Sequence, residues 1–179
     1  MPEVKIRPAV ATDVPILMAM DHSCESDYVW QMEVQHQADQ VGIVFREIRL
    51  PRSVSVPYPR PVEALSESWS RNAGMLVAVV DEQVIGYGRM SDKIFPQTAW
   101  LTDVVVAPRY RRQAIGTALL LAAQSWAAQR KNQRILFEMS SKNSPAIRLA
   151  QKLGYEFCGY NDNYYGKQDI ALFFGRLLR

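Results

Sequence analysis

Residues 104–120 read Val-Val-Val-Ala-Pro-Arg-Tyr-Arg-Arg-Gln-Ala-Ile-Gly-Thr-Ala-Leu-Leu. A β-type run ends at Pro108, and three arginines in four positions follow: Arg109, Arg111 and Arg112. A small-residue pair, Ala114 and Gly116, then opens an apolar-periodic stretch. A helix N-terminus offers unpaired backbone N–H groups and the positive end of the helix dipole. Small residues there let a phosphate approach the amides, and arginines raise the local anion concentration. This order of residue types points to a phosphate or pyrophosphate held by Arg111, Arg112, Gln113, Ala114, Ile115, Gly116 and Thr117. Taken singly, the arginine run fits a solvated surface and the small-x-small pair is weak. The conjunction of strand, proline, R-x-x-A-x-G and amphipathic helix carries the phosphate reading. Pro108 also stops the strand, leaving the edge groups of Val104, Val105 and Val106 free to pair with an extended ligand.

Other elements must position this segment. Ile115, Leu119, Ala122 and Trp126 fall on one stripe of a helix over about 114–130. Met75 to Val80, a turn at Asp81-Glu82-Gln83, and Val84 to Met90 predict a hairpin. Ala99 to Val106 and Arg134 to Met139 read as strands. Ser144 is the expected cap of a helix with Pro145 in first position and Gly154 at its stop. Tyr155 to Tyr160 and Asp169 to Phe174 close the chain as strands. Toward the start, Val4 to Ile6 is a short strand, and Thr12 is the expected cap of a helix through Val14, Ile16, Leu17 and Met20. Strands are read at about 26–34 and 42–50, then a long irregular connection marked by Pro51, Pro57, Pro59 and Pro61, then a short helix over 63–71. The order predicts a mixed α/β, α+β-like fold: one domain over residues 1–179, with a central, partly antiparallel sheet and helices on both faces.

Length and composition suit a single globular core: 179 residues, 48% hydrophobic and 22% charged. A net charge of +3 does not argue for nucleic acid. The clustered arginines lack interleaved stacking aromatics beyond Tyr110, so no nucleic-acid partner is expected. Charge is unevenly spread: residues 11–40 hold six acidic side chains and no Lys or Arg. Asp21, Glu25, Asp27 and Glu33 in that stretch fit either attraction of a cationic amine or a solvated acidic face. Cys24 and Cys158 form no CxxC, and His22 and His36 lack metal-ligand spacing, so no metal and a reducing, cytoplasmic setting are expected. No signal peptide and no membrane span are read.

Arg111, Ala114 and Gly116 match the Q/R-x-x-G-x-G/A acetyl-CoA signature of the GNAT superfamily of N-acetyltransferases, with Ala114 where glycine is commoner. Asn143-Ser-Pro-Ala-Ile-Arg-Leu-Ala-Gln-Lys-Leu-Gly-Tyr155 resembles the superfamily's N-x-x-A-x-x-L-Y-x-K-x-G-F, and Gly86 stands where a glycine usually precedes the signature strand. The resemblance runs from about Met75 to Leu177. Within the superfamily the chain is similar to streptothricin acetyltransferases through Asp27-Tyr28-Val29-Trp30, Asp103, Phe157-Cys158-Gly159 and Tyr165; the loop from Arg46 to Pro61 departs from them.

The resemblance implies a GNAT-type fold and transfer of the acetyl group of acetyl-CoA, a co-substrate, to a primary amine of a small molecule by direct attack in a ternary complex. A protein or peptide amine is the second acceptor class, and a catalytically silent acyl-CoA-binding module is the third reading; a homodimer is compatible with each. The backbone of Val104 and Val106 would hold the pantetheine arm, and a strand amide would polarise the thioester carbonyl. Asn143 would hydrogen-bond the same arm, or serve as a turn or cap residue. Many members carry, at the position of Ala150, a tyrosine that protonates the departing thiolate; Tyr165, or else Tyr164, is the candidate substitute. Asp103 is the candidate base, its facing direction depending on whether the strand carries a bulge. Trp30, Trp69 and Trp100 fit a substrate cleft or the core, and Trp126 the core.

Overall fold

Along Met75–Val80 the side chains alternate between two apolar faces. Met75 and Val77 pack with Leu17 and Leu65, whereas Ala78 and Val80 pack with Ile115 and Leu119. A strand buried on both faces lies inside a layered fold. The computed structural model describes residues 3–71, 74–166 and 168–179. Its strands are β1 (Lys5–Pro8), β2 (Cys24–His36), β3 (Val41–Val56), β4 (Met75–Val80), β5 (Gln83–Phe95), β6 (Thr98–Val106), β7 (Arg134–Ser140), β8 (Glu156–Gly166) and β9 (Asp169–Leu177). Its α-helices are α1 (Val14–Ala19), α2 (Ala64–Arg71), α3 (Ile115–Gln129) and α4 (Ser144–Lys152).

Seven strands form one sheet in the order β1-β4-β5-β6-β7-β9-β8, and β2 and β3 form a separate antiparallel hairpin. All pairings in the large sheet are antiparallel except β6 with β7. Leu17 of α1 and Leu65 of α2 cover one face; Leu119, Leu120 and Ala123 of α3 and Ile147 of α4 cover the other. The expected mixed fold with helices on both faces is what the chain adopts. The β4–β5 turn uses Asp81 and Glu82 at φ 46° and 66°, the doubly left-handed geometry that suits a two-residue hairpin.

The hairpin of β2 and β3 is longer than its sequence pattern. Strand β3 continues through Pro51 to Val56, where an irregular connection is expected. Its register jumps from Tyr28↔Arg49 to Ser26↔Val54, so residues 50–53 bulge opposite Asp27 and Pro51 leaves no ladder bond unmade. Only residues 57–63 remain as a strap between hairpin and α2. The hairpin lies against the rest of the fold: the Trp30 amide donates to the Ser141 carbonyl at 2.9 Å, and Phe45 meets Tyr160 with ring centroids 5.3 Å apart.

Two caps differ from expectation. Asn143 rather than Ser144 caps α4, its Oδ1 accepting from the Ala146 amide at 3.1 Å. Asp13 rather than Thr12 organises the entry to α1: its carboxylate accepts from the Val10 amide at 2.8 Å and pairs with Arg7 at 2.6 Å. A carboxylate satisfies both a positive partner and an orphan amide, which a threonine hydroxyl cannot.

Candidate active site

Strand β6 makes the site by changing its facing midway. Arg89 pairs with Asp103 and Met90 with Leu101, so Thr102 is an extra residue and β6 bulges there. Below the bulge Ala99 and Leu101 face α3; above it Val105 turns toward Leu17 and Leu65. The bulge thereby answers the facing of Asp103: its carboxylate is buried on the α1–α2 side, with Tyr58 and Arg60. Parallel pairing of β6 with β7 runs from Thr98↔Arg134 to Leu101↔Phe137 and stops. Beyond that point the two strands part, and among the described residues Val104–Val106 keep ladder pairing with Gly86–Gly88 of β5 alone. Gly86 lets that pairing close up, since a Cβ there would sit 2.7 Å from the Val105 carbonyl.

The slot so opened is lined by His22, Tyr58 and Arg60 on one side and by Glu138, Asn143 and Tyr165 on the other. Val104 and Val105 of its lining lead along β6 to the loop before α3. Arg112 and Ala114 both have φ 63°, and the N-terminus of α3 carries no side-chain cap. Left-handed residues ahead of uncapped amides form an anion-binding concavity. The Ala118 amide already bonds the Ala114 carbonyl at 3.0 Å, so it is the amides of Ile115, Gly116 and Thr117 that face out of the helix end. The positive φ explains the usual glycine at position 114. These residues fit a pyrophosphate and an extended arm running on to the free edge of β6.

Individual roles are sharper than the motif. Arg111 donates from Nε to the Val106 carbonyl at 2.8 Å and from Nη2 to the Asp21 carbonyl at 3.1 Å, so it fastens the end of β6. The Gln113 amide donates to the Arg109 carbonyl at 3.0 Å, and Arg112 and Gln113 lie exposed at the loop. The side chains of Ile115 and Val105 are buried in the core, leaving only their backbone to a ligand. At Gly116 an added Cβ would meet Leu149 Cδ2 at 3.1 Å, so its smallness serves the packing of α3 on α4. Asn143 is both a cap and a slot residue.

Two carboxylates and a guanidinium bind the slot's base. Arg60 bridges Glu138 of β7 and Asp103 of β6, its Nη1 3.6 Å from Asp103 Oδ1. Asp103 also pairs with Arg89 at 2.9 Å and accepts from Tyr58 at 2.7 Å and Thr102 at 2.8 Å. Glu138 accepts from Trp100 Nε1 at 2.7 Å, Tyr165 at 2.9 Å and Tyr164 at 3.3 Å. Arg60 lies over the Tyr165 ring, 5.3 Å from its centroid. Burial, then the Glu138 charge, push the Tyr165 phenol well above its ordinary value. Burial, then Asp103, do the same to Tyr58. Both hydroxyls are therefore protonated throughout the physiological range.

Sequence reasoning brought Asp103 and Tyr165 to one place but missed Tyr58, Arg60, Glu138 and His22. The available signal for Glu138 was a lone carboxylate inside an otherwise apolar strand. Trp100 borders the site, Trp30 packs against Phe174, and Trp69 packs with the α1–α2 cluster. The acidic stretch does not form one patch: Glu33 pairs with Arg46 at 3.4 Å on the hairpin, and Asp27 is bound by Ser53, while Asp21 adjoins the slot residue His22. Ala150 is fully buried in the core with Ile147 and Tyr155. Among the described residues no cluster of three or more His, Cys, Asp or Glu could hold a metal, and no helix is long and apolar enough to cross a membrane.

Known proteins agree with this geometry. The acetyltransferase (GNAT) family profile matches residues 44–155. An N-alpha-acetyltransferase of Sulfurisphaera tokodaii is 32% identical over 74% of this chain and 83% of its own. Streptothricin acetyltransferase of Streptomyces lavendulae is 25% identical over 90% of this chain and 86% of its own. The crystal structure of nourseothricin acetyltransferase superposes with a TM-score of 0.81 at 23% identity, covering 98% of this chain and 99% of that one. A Bacillus anthracis str. Ames structure in complex with acetyl coenzyme A gives 0.75 at 17% identity, covering 98% of this chain and 99% of that one. A parted parallel strand pair, an uncapped helix beside it and a family match over more than half its length place this chain in the acetyltransferase (GNAT) family of acetyl-CoA-dependent N-acetyltransferases.

Proposed function

We propose that the chain transfers the acetyl group of acetyl-CoA to a primary amine of a small molecule, by direct attack while both substrates are bound. The observation that carries this reading is the slot where β6 and β7 part, lined by Val104 and Val105, on the strand that leads into the uncapped N-terminus of α3. The pyrophosphate is held by those amides with Arg112 and Gln113 beside them, while Arg111 keeps the end of β6 in place for the arm. Backbone groups of Val104 and Val106 and the amide of Asn143 flank the arm, and a β6 amide faces the thioester oxygen, where negative charge develops.

Tyr165 is the proposed proton donor to the departing thiolate, since its phenol stays protonated and borders the slot. Asp103 contributes a fixed negative charge: its oxygens are engaged by Tyr58, Thr102 and Arg89, which leaves it to orient its neighbours. Similarity to streptothricin acetyltransferase favours a small-molecule amine. Similarity to an archaeal N-alpha-acetyltransferase supports a second acceptor class, the amino terminus of a peptide.

The test is an amine panel with acetyl-CoA, read by the appearance of free CoA thiol. The panel contains streptothricin, simple primary amines and peptides with free amino termini. Release of CoA with a small amine supports the reading, and release only with peptides replaces it by the second. Acetyl-CoA at about 100 times its Kd should stabilise the fold by roughly 2.7 kcal/mol. A melting temperature unmoved by millimolar acetyl-CoA, with no thiol released, would count against both.

A further inference from the structure

Amine acetylation needs an acceptor for the ammonium proton, and most titratable groups of the slot are spoken for. Both oxygens of Asp103 and both of Glu138 accept hydrogen bonds, and each carboxylate faces Arg60. Their oxygens are already engaged by these donors. Arg60 is always charged. The hydroxyls of Tyr58 and Tyr165 and the thiol of Cys24 are held in their protonated forms, chiefly by burial.

His22 is different. Its Nδ1 lies 2.8 Å from the Met20 carbonyl. A carbonyl only accepts, so Nδ1 carries the proton and Nε2 keeps a lone pair. Nε2 is buried and has no hydrogen-bond partner among the described residues, and the buried Tyr87 lies beside it. The two rings are neighbours, with centroids 5.8 Å apart, and Tyr58 lies 4.7 Å from His22 on another side. Native proteins rarely leave buried polar atoms unpaired, and catalytic sites are one place where they do.

We propose that His22 is the general base: Nε2 takes the proton of the acceptor ammonium, directly or through one water. This rests on the amine-acetylation reading above. The freed nitrogen pair forms the C–N bond to the thioester carbonyl carbon, and the C–S bond breaks. The nitrogen's second proton leaves to solvent as the tetrahedral adduct collapses, and the thiolate receives a proton from Tyr165, itself reprotonated from solvent, or from solvent directly. The products are the amide and CoA thiol, and His22 returns its proton to solvent. The groups facing His22 are Asp21 on its own segment, Asp103 of β6, Tyr58 of the strap and Tyr87 of β5. Burial lowers the affinity of the ring for a proton and outweighs the two aspartates, which raise it. The ring is thus neutral and receptive at pH 7, while Asp103 and Asp21 favour the imidazolium once formed.

The experiment has two arms. The chain has only two histidines, His22 and His36, so uniform ¹⁵N-histidine labelling with a His36→Gln reference assigns both rings. At pH 7 the His22 spectrum should show a protonated Nδ1 and a bare Nε2; an Nε2–H tautomer or a cationic ring would overturn the proposal. This arm does not depend on turnover and survives failure of the amine reading. In the second arm, His22→Gln should lower kcat/KM for the acceptor at least tenfold at pH 7 with the KM of acetyl-CoA unchanged. The deficit should shrink as pH rises toward the acceptor's own pKa, and imidazole should restore part of the rate of His22→Gly. Wild-type rates in both variants, or a deficit equal at every pH and unmoved by imidazole, would reject the role. If the variants do not fold, the ring's tautomer decides. If wild type transfers to no amine yet shows the bare Nε2, it is the amine reading that fails.

Discussion

Tyr165 donates its hydroxyl to Glu138 at 2.9 Å, joining β8 to the middle of β7 at the base of the slot. The phenol is thereby held in the lining of the slot, where the proposed donor role would need it. Tyr165→Phe should lower kcat at least tenfold with little change in the KM for acetyl-CoA, in keeping with the usual worth of general-acid help, about 10²–10⁴. A variant with wild-type kcat across the pH range, where chemistry limits turnover, would show that the thiolate departs unassisted.

Arg60 should matter to folding more than its place in an irregular strap suggests. Its side chain is 19% exposed, against 1% for Glu138 and 2% for Asp103. Removing one member of a buried ion pair strands the others and costs about 3–5 kcal/mol. Arg60→Met should therefore destabilise strongly in urea unfolding. The double variant Arg60→Met with Glu138→Gln should recover part of the loss, because the second change removes the stranded charge. A double variant as unstable as the sum of both single ones would show that Arg60 acts by packing.

Ala114 sits at φ 63°, where a Cβ costs about 1–2 kcal/mol. Ala114→Gly should gain up to about 1 kcal/mol in denaturant unfolding, the relief being partly offset by the greater freedom of glycine in the unfolded chain. Affinity for acetyl-CoA should be kept. Ala114→Val should lose stability and reduce the acetyl-CoA-dependent thermal shift, since a β-branched residue tolerates this conformation least.

Asp13 gives a pH signature remote from the slot. The hydrogen bond from Arg7 holds its carboxyl below the ordinary aspartate value, against the opposing effect of burial, and the Val10 amide adds to the lowering. A depressed folded pKa contributes stability above the unfolded value, about 3.9, that is lost as pH falls through the folded value. Asp13→Asn should therefore be less stable than wild type at pH 7, by on the order of 1–2 kcal/mol. The gap should close as pH drops below about 4. A gap constant from pH 7 to pH 3 would assign it to packing.

Ala150→Tyr should not restore a proton donor. The alanine is fully buried, so a phenol there must displace core side chains, at a cost of about 1–3 kcal/mol or more. Thermal melts should show a fall of several degrees without a rise in kcat. A stable variant with raised kcat would mean that position 150 reaches the slot after all.

Local signals made much of this fold legible. The β4–β5 hairpin, the stripe of Ile115 and Leu119, and the Pro145 and Gly154 punctuation all act over a few residues, and all are where their patterns put them. The loop ahead of α3 was readable for the same reason: strand end, arginines, small pair and helix adjoin in sequence. What stayed hidden depends on distance along the chain. Arg60 meets Glu138 across 78 positions, and Tyr58 meets Asp103 across 45. Neither the strap nor a lone carboxylate in an apolar strand carries a period that would announce such a meeting. Pro51 misled because a bulge can hold a proline within a paired strand, and a bulge leaves no mark on composition.

The extra residue at Thr102 is at bottom a change of parity. Odd positions of β6 up to Leu101 belong to one side of the sheet, and odd positions from Asp103 onward belong to the other. Were Thr102 paired in regular register, β6 would keep its parity and carry the residues above it in the wrong phase. The valine at 105 would point at α3, and the aspartate at 103 would be driven among apolar side chains. Two ladders that stay in phase can go on zipping, whereas two that fall out of phase must separate. The slot is therefore not carved by bulky walls but counted out by a single residue, and enlarging or trimming its lining would alter what it admits without altering whether it exists.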